Sequence, residues 1–269
     1  SFVKAGSEEM PAHIKALVMG NSGAGKTWLG ATAPNPVIML TERNGMQSIR
    51  QSNPNAYVAY CSTANECRDF LLAAMNGDLP DHVQTIVVDG ITEIQQIMID
   101  DILSHKGGED RKMSLPDWGV LGDRMRRFLR CLRDLPYHVV VTSLANYETN
   151  DTTGETRVFP LVQSKKLPAQ MAQYFNIVGL LFKREVTEND KLEIVRKVMV
   201  EGPSRFMVKP CDPLTGILEA DLSKWVEIWQ GSASPLNGQA RASTVEKVVK
   251  KNVKKNVAKQ RRSSAIGGK

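Results

Sequence analysis

The stretch Gly20-Asn21-Ser22-Gly23-Ala24-Gly25-Lys26-Thr27 fits the spacing G-x-x-x-x-G-K-[ST] in full. A loop of this composition turns its backbone N–H groups inward, and its glycines let the chain approach phosphate oxygens without side-chain collision. Lys26 then reaches the β- and γ-phosphates, and Thr27 offers a hydroxyl to Mg2+. The expected chemistry is binding of a nucleoside triphosphate, with ATP and Mg2+ as ligands. A strand-like apolar run precedes the loop, and a short helical stretch (26–33) follows it before Pro34. That order brings the positive end of a helix dipole to the phosphates. A chance glycine-rich turn is the competing reading, and the flanking context counts against it.

Such a cradle needs a carboxylate on its metal side. Thr85-Ile86-Val87-Val88-Asp89-Gly90 brings Asp89 to the carboxyl end of a buried strand, where it orders Mg2+ or its water. An acid at that place can otherwise cap the next helix. Gly90 follows Asp89, so the acid that AAA-type sites carry beside this aspartate is absent. Glu42 closes the next strand after the cradle, a place from which a carboxylate orients and deprotonates an attacking water. A surface glutamate opening a loop is the plainer alternative. No Asn-Lys-x-Asp motif of GTPases is present, and no arginine-rich lid, which disfavours a small-molecule kinase.

The elements that must hold these residues alternate. Strand-like runs occupy 13–20, 36–42, 56–62, 83–90 and 138–144, and helical periodicity covers 63–76, 91–104 and 117–135. Pro116 and Asp117 open the last helix, and Pro136 lies just past its end. This alternation predicts an α/β fold, a mostly parallel twisted sheet flanked by helices on both faces. Residues 176–202 read as two strands around a polar turn, an antiparallel hairpin at the sheet edge. Residues 217–229 read as a closing helix with Trp225 and Trp229 one turn apart. The expected organisation is an N-terminal extension (1–12), an ATPase domain (13–230), a small-residue linker (231–244) and a basic tail (245–269).

Bulk properties narrow the class. The 269 residues, 42% hydrophobic and 24% charged, suffice for one sizeable core. No apolar run approaches the roughly 20 residues of a membrane span, and the start lacks the apolar core of a secretion signal. The four cysteines form no Cys-x-x-Cys pair, which fits a reducing, cytoplasmic setting and no metal framework. Charge is uneven: ten of the 35 Lys/Arg and one of the 29 Asp/Glu lie in 241–269, so that segment carries +9 and the rest −3. A basic arm on an acidic body suits a polyanion or an acidic partner, or else a solvated tail.

The cradle with its short helix, "VIMLTERNG", "TIVVDG" and "DWGVLGDRMRRFLRCLRDLPYHVVVTSL" together resemble the phage RecA-like P-loop ATPases of the Sak group. These are minimal recombinases related to the RecA/RadA core. The resemblance covers about 13–210 and implies ATP hydrolysis, single-stranded DNA binding, and annealing or strand exchange. It implies a homo-oligomer, ring or filament, in the cytoplasm of a bacterial host. A single-strand-binding protein is a candidate partner. By position, Lys26 and Thr27 match the cradle pair, Asp89 the metal-side acid and Glu42 the water-activating glutamate. Thr142 and Ser143 match a γ-phosphate sensor, and Ser143 is expected to join Lys26 and Glu42 as a catalytic residue. Two departures stand out. Leu40 replaces an aspartate of the family's Asp-x-Glu strand, and "VKPCDP" keeps Lys209 of a Lys-Asp-Arg-like element without its arginine.

Three basic features remain. Arg126, Arg127, Arg130 and Arg133 lie opposite an apolar stripe on the 117–135 helix, as a phosphate-tracking row or as a solvated face with nearby acids. The polar segment 146–166, with Arg157, Lys165 and Lys166, is the candidate DNA contact by resemblance, or an ordinary hairpin. In the tail, valines at 245, 248, 249, 253 and 257 give one apolar helical face among lysines. The expected activity is that of a DNA-binding ATPase, the alternative an ATP-gated annealing module with negligible hydrolysis.

Overall fold

The computed structural model describes residues 11–105, 112–164, 166–188 and 191–231. Its frame begins with β1 (Lys15–Gly20), α1 (Lys26–Ala31), β2 (Pro36–Leu40), α2 (Met46–Ser52), β3 (Tyr57–Tyr60), α3 (Ala64–Asn76), β4 (Thr85–Asp89) and α4 (Ile91–Ser104). It continues with α5 (Leu115–Asp134), β5 (His138–Thr149), β6 (Thr156–Pro160), α6 (Leu167–Met171), β7 (Ile177–Glu188), β8 (Lys191–Met199), β9 (Ile217–Glu219) and α7 (Leu222–Trp229). The strand order is β3-β2-β4-β5-β1-β7-β8-β9, with β6 on the outer half of β5. Pairs from β3 through β7 run parallel, and β7–β8, β8–β9 and β5–β6 run antiparallel. The α/β fold with a mostly parallel, helix-flanked sheet is as the alternation predicts.

Period-two alternation divides the core. Leu17, Met19, Val37, Met39, Ile86 and Val88 face one way, against α3, α4 and α5. Ala16, Val18, Ile38, Leu40, Val87 and Val140 face the other way, against α1, α2 and α7. Every residue of β2 and β4 is buried, the pattern of strands covered on both faces. Helix ends are tied down locally. Thr63 and Glu66 form a reciprocal capping box on α3, and Ser114 with Asp117 forms another on α5, where Pro116 sits in the first turn. At the far end of α5, Lys15 Nζ donates to the carbonyls of Leu132, Leu135 and Tyr137, so β1 and α5 are clamped at one corner.

Three sequence expectations change. The antiparallel hairpin expected over 176–202 forms as β7 and β8, but it is not the outermost element along its whole length, because β9 adds to Lys197–Met199 of β8. Residues 217–229 are not one helix: Ile217–Glu219 pairs with β8, and Asp221 caps a helix beginning at Leu222, its carboxylate accepting from Ser223 N at 3.0 Å. The strand expected at 138–144 runs on to Thr149, because its outer half pairs with β6 after leaving the parallel sheet. The end of the N-terminal extension is held by the domain, since Trp229 Nε1 donates to the Pro11 carbonyl at 2.8 Å. The rest of that extension, the linker from 232 and the basic tail lie outside the described residues. No described helix is long and apolar enough to cross a membrane.

Candidate active site

β1, β2, β4 and β5 all end on the same side of the sheet, where open α/β sheets place ligand crevices. The loop leaving β1 turns through Gly25, whose φ of 105° is left-handed and suits glycine alone without strain. Asn21 and Ala24 shape this loop from within: Ala24 is buried and its N–H donates to the Asn21 carbonyl at 3.1 Å. Lys26 begins α1, and its Nζ donates to the carbonyls of Gly20 and Asn21, both at 3.0 Å. Burial lowers the Lys26 pKa, and the nearby Asp89 carboxylate partly restores it. The ammonium is thus held over the loop that Gly20 and Gly25 bracket.

Asp89 ends β4 and collects two hydroxyls. Thr27 Oγ1 donates to its Oδ2 at 2.6 Å, and Thr142 Oγ1 donates to its Oδ1 at 2.8 Å. Thr142 also accepts from Gly90 N at 3.0 Å. This chain of bonds exists because β5 is inserted between β4 and β1, pairing Val88 with Val141 and Val18 with Thr142. Thr142 therefore stands between the acid and the cradle strand. Ser143 does not join it. One residue on, its side chain points to the opposite face of the strand. It is fully buried there, its Oγ donating to the Leu144 carbonyl at 2.9 Å and lying 3.5 Å from Thr92 Oγ1, so only through Thr92 does it approach the cleft. Of the two sensor candidates, the structure brings Thr142 to the site and leaves Ser143 in the core.

Glu42 lies just past β2 and is exposed, before a single 3-10 turn over Arg43–Gly45. It lines a cleft of about 470 Å³ with Ser22, Gly23, Lys26, Thr27, Asp89 and Thr142. Glu93, in the first turn of α4, lines the same cleft and was not singled out from the sequence. Burial, then the negative charges of Glu42 and Asp100, push its carboxyl pKa upward. Its signal is present in "DGITE", an acid four residues beyond Asp89, but the spacing acquires meaning only once α4 starts at Ile91. Gly45 brings the post-β2 loop close: a Cβ there would stand 2.8 Å from Leu40 Cδ1 and 3.2 Å from Thr27 Cγ2. Leu40, where the resembled strand carries an aspartate, is a buried core residue.

Two basic elements fall elsewhere. Lys209 Nζ donates to the Phe175 carbonyl at 2.8 Å, away from the cleft. On α5, Arg124 pairs with Asp101, Arg126 with Asp123 and Arg133 with Asp134, while Arg127 and Arg130 are exposed. That row reads largely as a solvated face with nearby acids. Arg196 of β8, unremarked in the sequence, does line the cleft.

The Thr27 hydroxyl and the Asp89 carboxylate are hard oxygen donors, the chemistry Mg2+ takes when phosphates and water complete its shell. Among the described residues no group of three or more His, Cys, Asp or Glu could hold a metal by itself. The Thr27 and Asp89 oxygens fit a cation whose remaining ligands are phosphate and water oxygens. The family model described as AAA domain matches residues 12–208. The chain belongs to the AAA domain family. The match covers the cradle, the Asp89 strand, Thr142 and most of the sheet, and membership points to nucleotide-dependent activity of the ATPase kind. Gly90, where an AAA-type site is expected to carry an acid, does not set the chain outside this family. A search of curated proteins finds no match.

Proposed function

We propose that this AAA domain hydrolyses ATP and couples its nucleotide state to single-stranded DNA, in the manner of the phage RecA-like recombinases it resembles. The observation that carries the ATPase part is the hydrogen-bonded run Thr27–Asp89–Thr142 beside the Lys26 ammonium, with Glu42 and Glu93 on the same cleft. In this reading the loop amides and Lys26 hold the phosphates, and Thr27 with Asp89 holds Mg2+ or its water. Bound Mg2+ offsets the negative charge of the phosphate oxygens. Glu42 accepts a proton from the attacking water, and Thr142 reports the γ-phosphate to Asp89 through its hydroxyl.

The DNA part rests on the hairpin of β5 and β6 and on the groove beside it. Trp118, Tyr147, Arg157 and Phe159 line that groove with Arg205. Aromatic faces interleaved with arginines are the means by which proteins hold single strands, through base stacking and phosphate contacts. The +9 segment 241–269 would add sequence-independent attraction. Assembly as a homo-oligomer along the strand belongs to the same reading.

Phosphate release measured with and without single-stranded DNA tests it. Turnover that rises with DNA is the expected result. ATP binding without turnover would instead favour the ATP-gated annealing module. The commitment of Lys209 to the Phe175 carbonyl speaks for that second reading, because it leaves this lysine engaged within its own chain. Neither ATP binding nor turnover would sink both.

A further inference from the structure

Arg196 reaches the cleft from the side opposite Asp89. The strand order β4-β5-β1-β7-β8 puts Asp89, at the end of β4, and Arg196, on β8, on opposite flanks of the cradle strand β1. Thr27 and Asp89 mark the flank where the β- and γ-phosphates and Mg2+ would sit. A nucleotide so placed would carry its nucleoside toward the other flank. Register lifts Arg196 to the right height. Gly20 pairs with Leu181, Leu181 with Val198, and Lys183 with Arg196, so Arg196 stands one same-face step beyond the level where β1 ends. Val198 and Val200, on the same face, are fully buried, which aims Arg196 toward α1.

The side chain is held but not paired. Its guanidinium lies over the Trp28 ring, 5.2 Å from the centroid, and Trp28 is the residue after Thr27. Its stem crosses Gly25 so closely that a Cβ there would meet Nε at 2.6 Å. Nε is buried without a hydrogen-bond partner, and among the described residues no carboxylate pairs with the guanidinium. A buried N–H donor without an acceptor is destabilising, and a stacked, planar cation beside a phosphate loop is suited to an oxyanion. We infer that Arg196, braced on Trp28, is a nucleotide-binding residue acting in its own protomer, donating to the α- or β-phosphate on the nucleoside side of the cradle. This rests on the nucleotide reading above and adds the residue that would clamp the other end of the phosphate chain.

Affinities for ATP and ADP, each with Mg2+, are measured by titration calorimetry for the full chain and for Arg196→Gln and Arg196→Lys, with kcat and KM for ATP alongside. Loss of a charge-assisted contact shared by both nucleotides should weaken ATP and ADP alike, by about 10- to 100-fold in Arg196→Gln. KM should rise with it while kcat stays within about threefold, and Arg196→Lys should recover part of the affinity but not the stacked geometry. Unchanged affinities overturn the inference. So does weakening of ATP alone, which would place the contact at the γ-phosphate. A fall in kcat of about 10³ with affinity retained would make Arg196 a transition-state residue instead, and also overturns it. Should Arg196→Gln not fold, Arg196→Lys carries the same comparison. A wild-type chain that binds neither nucleotide would bring down the nucleotide reading itself, a result distinct from any of these.

Discussion

Thr27 and Asp89 stand 62 residues apart in the chain and share a 2.6 Å hydrogen bond, hydroxyl to carboxylate. The bond joins the first turn of α1 to the end of β4 across the intervening β5, and in the proposed function it marks the side of the cleft that would take Mg2+. Removing either partner should uncouple Mg2+ from nucleotide affinity. In Thr27→Ala the enhancement of ATP binding by Mg2+ should largely vanish, while Lys26→Ala should weaken ATP by about 100-fold or more in either condition. ATP titrations with Mg2+ and with a chelator make the comparison. A Thr27→Ala protein that keeps the full Mg2+ enhancement would take the hydroxyl out of the site.

Glu42 and Glu93 face the same cleft, and one carboxylate suffices as a base. Glu42→Gln should retain ATP binding and slow turnover by about 10²-fold or more. Glu93→Gln should cost less than about tenfold, since it removes a neighbouring charge and leaves Glu42 in place. Single-turnover hydrolysis of both variants decides between them. The reverse ranking would move the base to α4.

His138 provides a stability test away from the cleft. Its Nδ1 accepts from Ile14 N at 3.0 Å, so the folded state requires it neutral. Burial, with the charges of His13 and Lys15, lowers its pKa from 6.5 to about 4. Between those values the unfolded chain binds the proton and the folded chain does not, so stability falls as pH falls. The contribution is fully present above about pH 6.5 and lost on approaching pH 4, at most about 3 kcal/mol. His138→Gln should flatten that part of the stability-versus-pH curve in urea unfolding. An unchanged slope would mean that other groups set it.

The tail prediction concerns DNA rather than ATP. If about five lysines and arginines of 241–269 touch phosphates of one strand, log affinity should fall with log salt at a slope near about −3.5. A chain ending at Ala240 should show weaker binding and a flatter slope, with DNA-independent hydrolysis intact. Identical slopes for the two chains would mean that the arm does not hold DNA, and the valine stripe would then be tested as a protein-docking helix.

The cradle was legible because all its parts are local: glycines, lysine and threonine act within eight consecutive residues, and spacing alone conveys the geometry. Asp89 was legible as the end of an apolar run, and the α/β alternation follows from hydrophobic period, which is also local. Ser143 and Thr142 were not separable in that way, because two adjacent polar residues ending a strand differ only in which face the sheet offers them. Pairing of β5 between β4 and β1 turned Thr142 to Asp89 and Ser143 into the core. Arg196 is the extreme case. Nothing in "KLEIVRKV" marks it, and its nearness to Gly25 and Trp28 depends on β7 pairing with β1 and β8 with β7. Motifs whose geometry closes within one turn are written in residue spacing, whereas side chains brought together across strands acquire neighbours only when the sheet assembles.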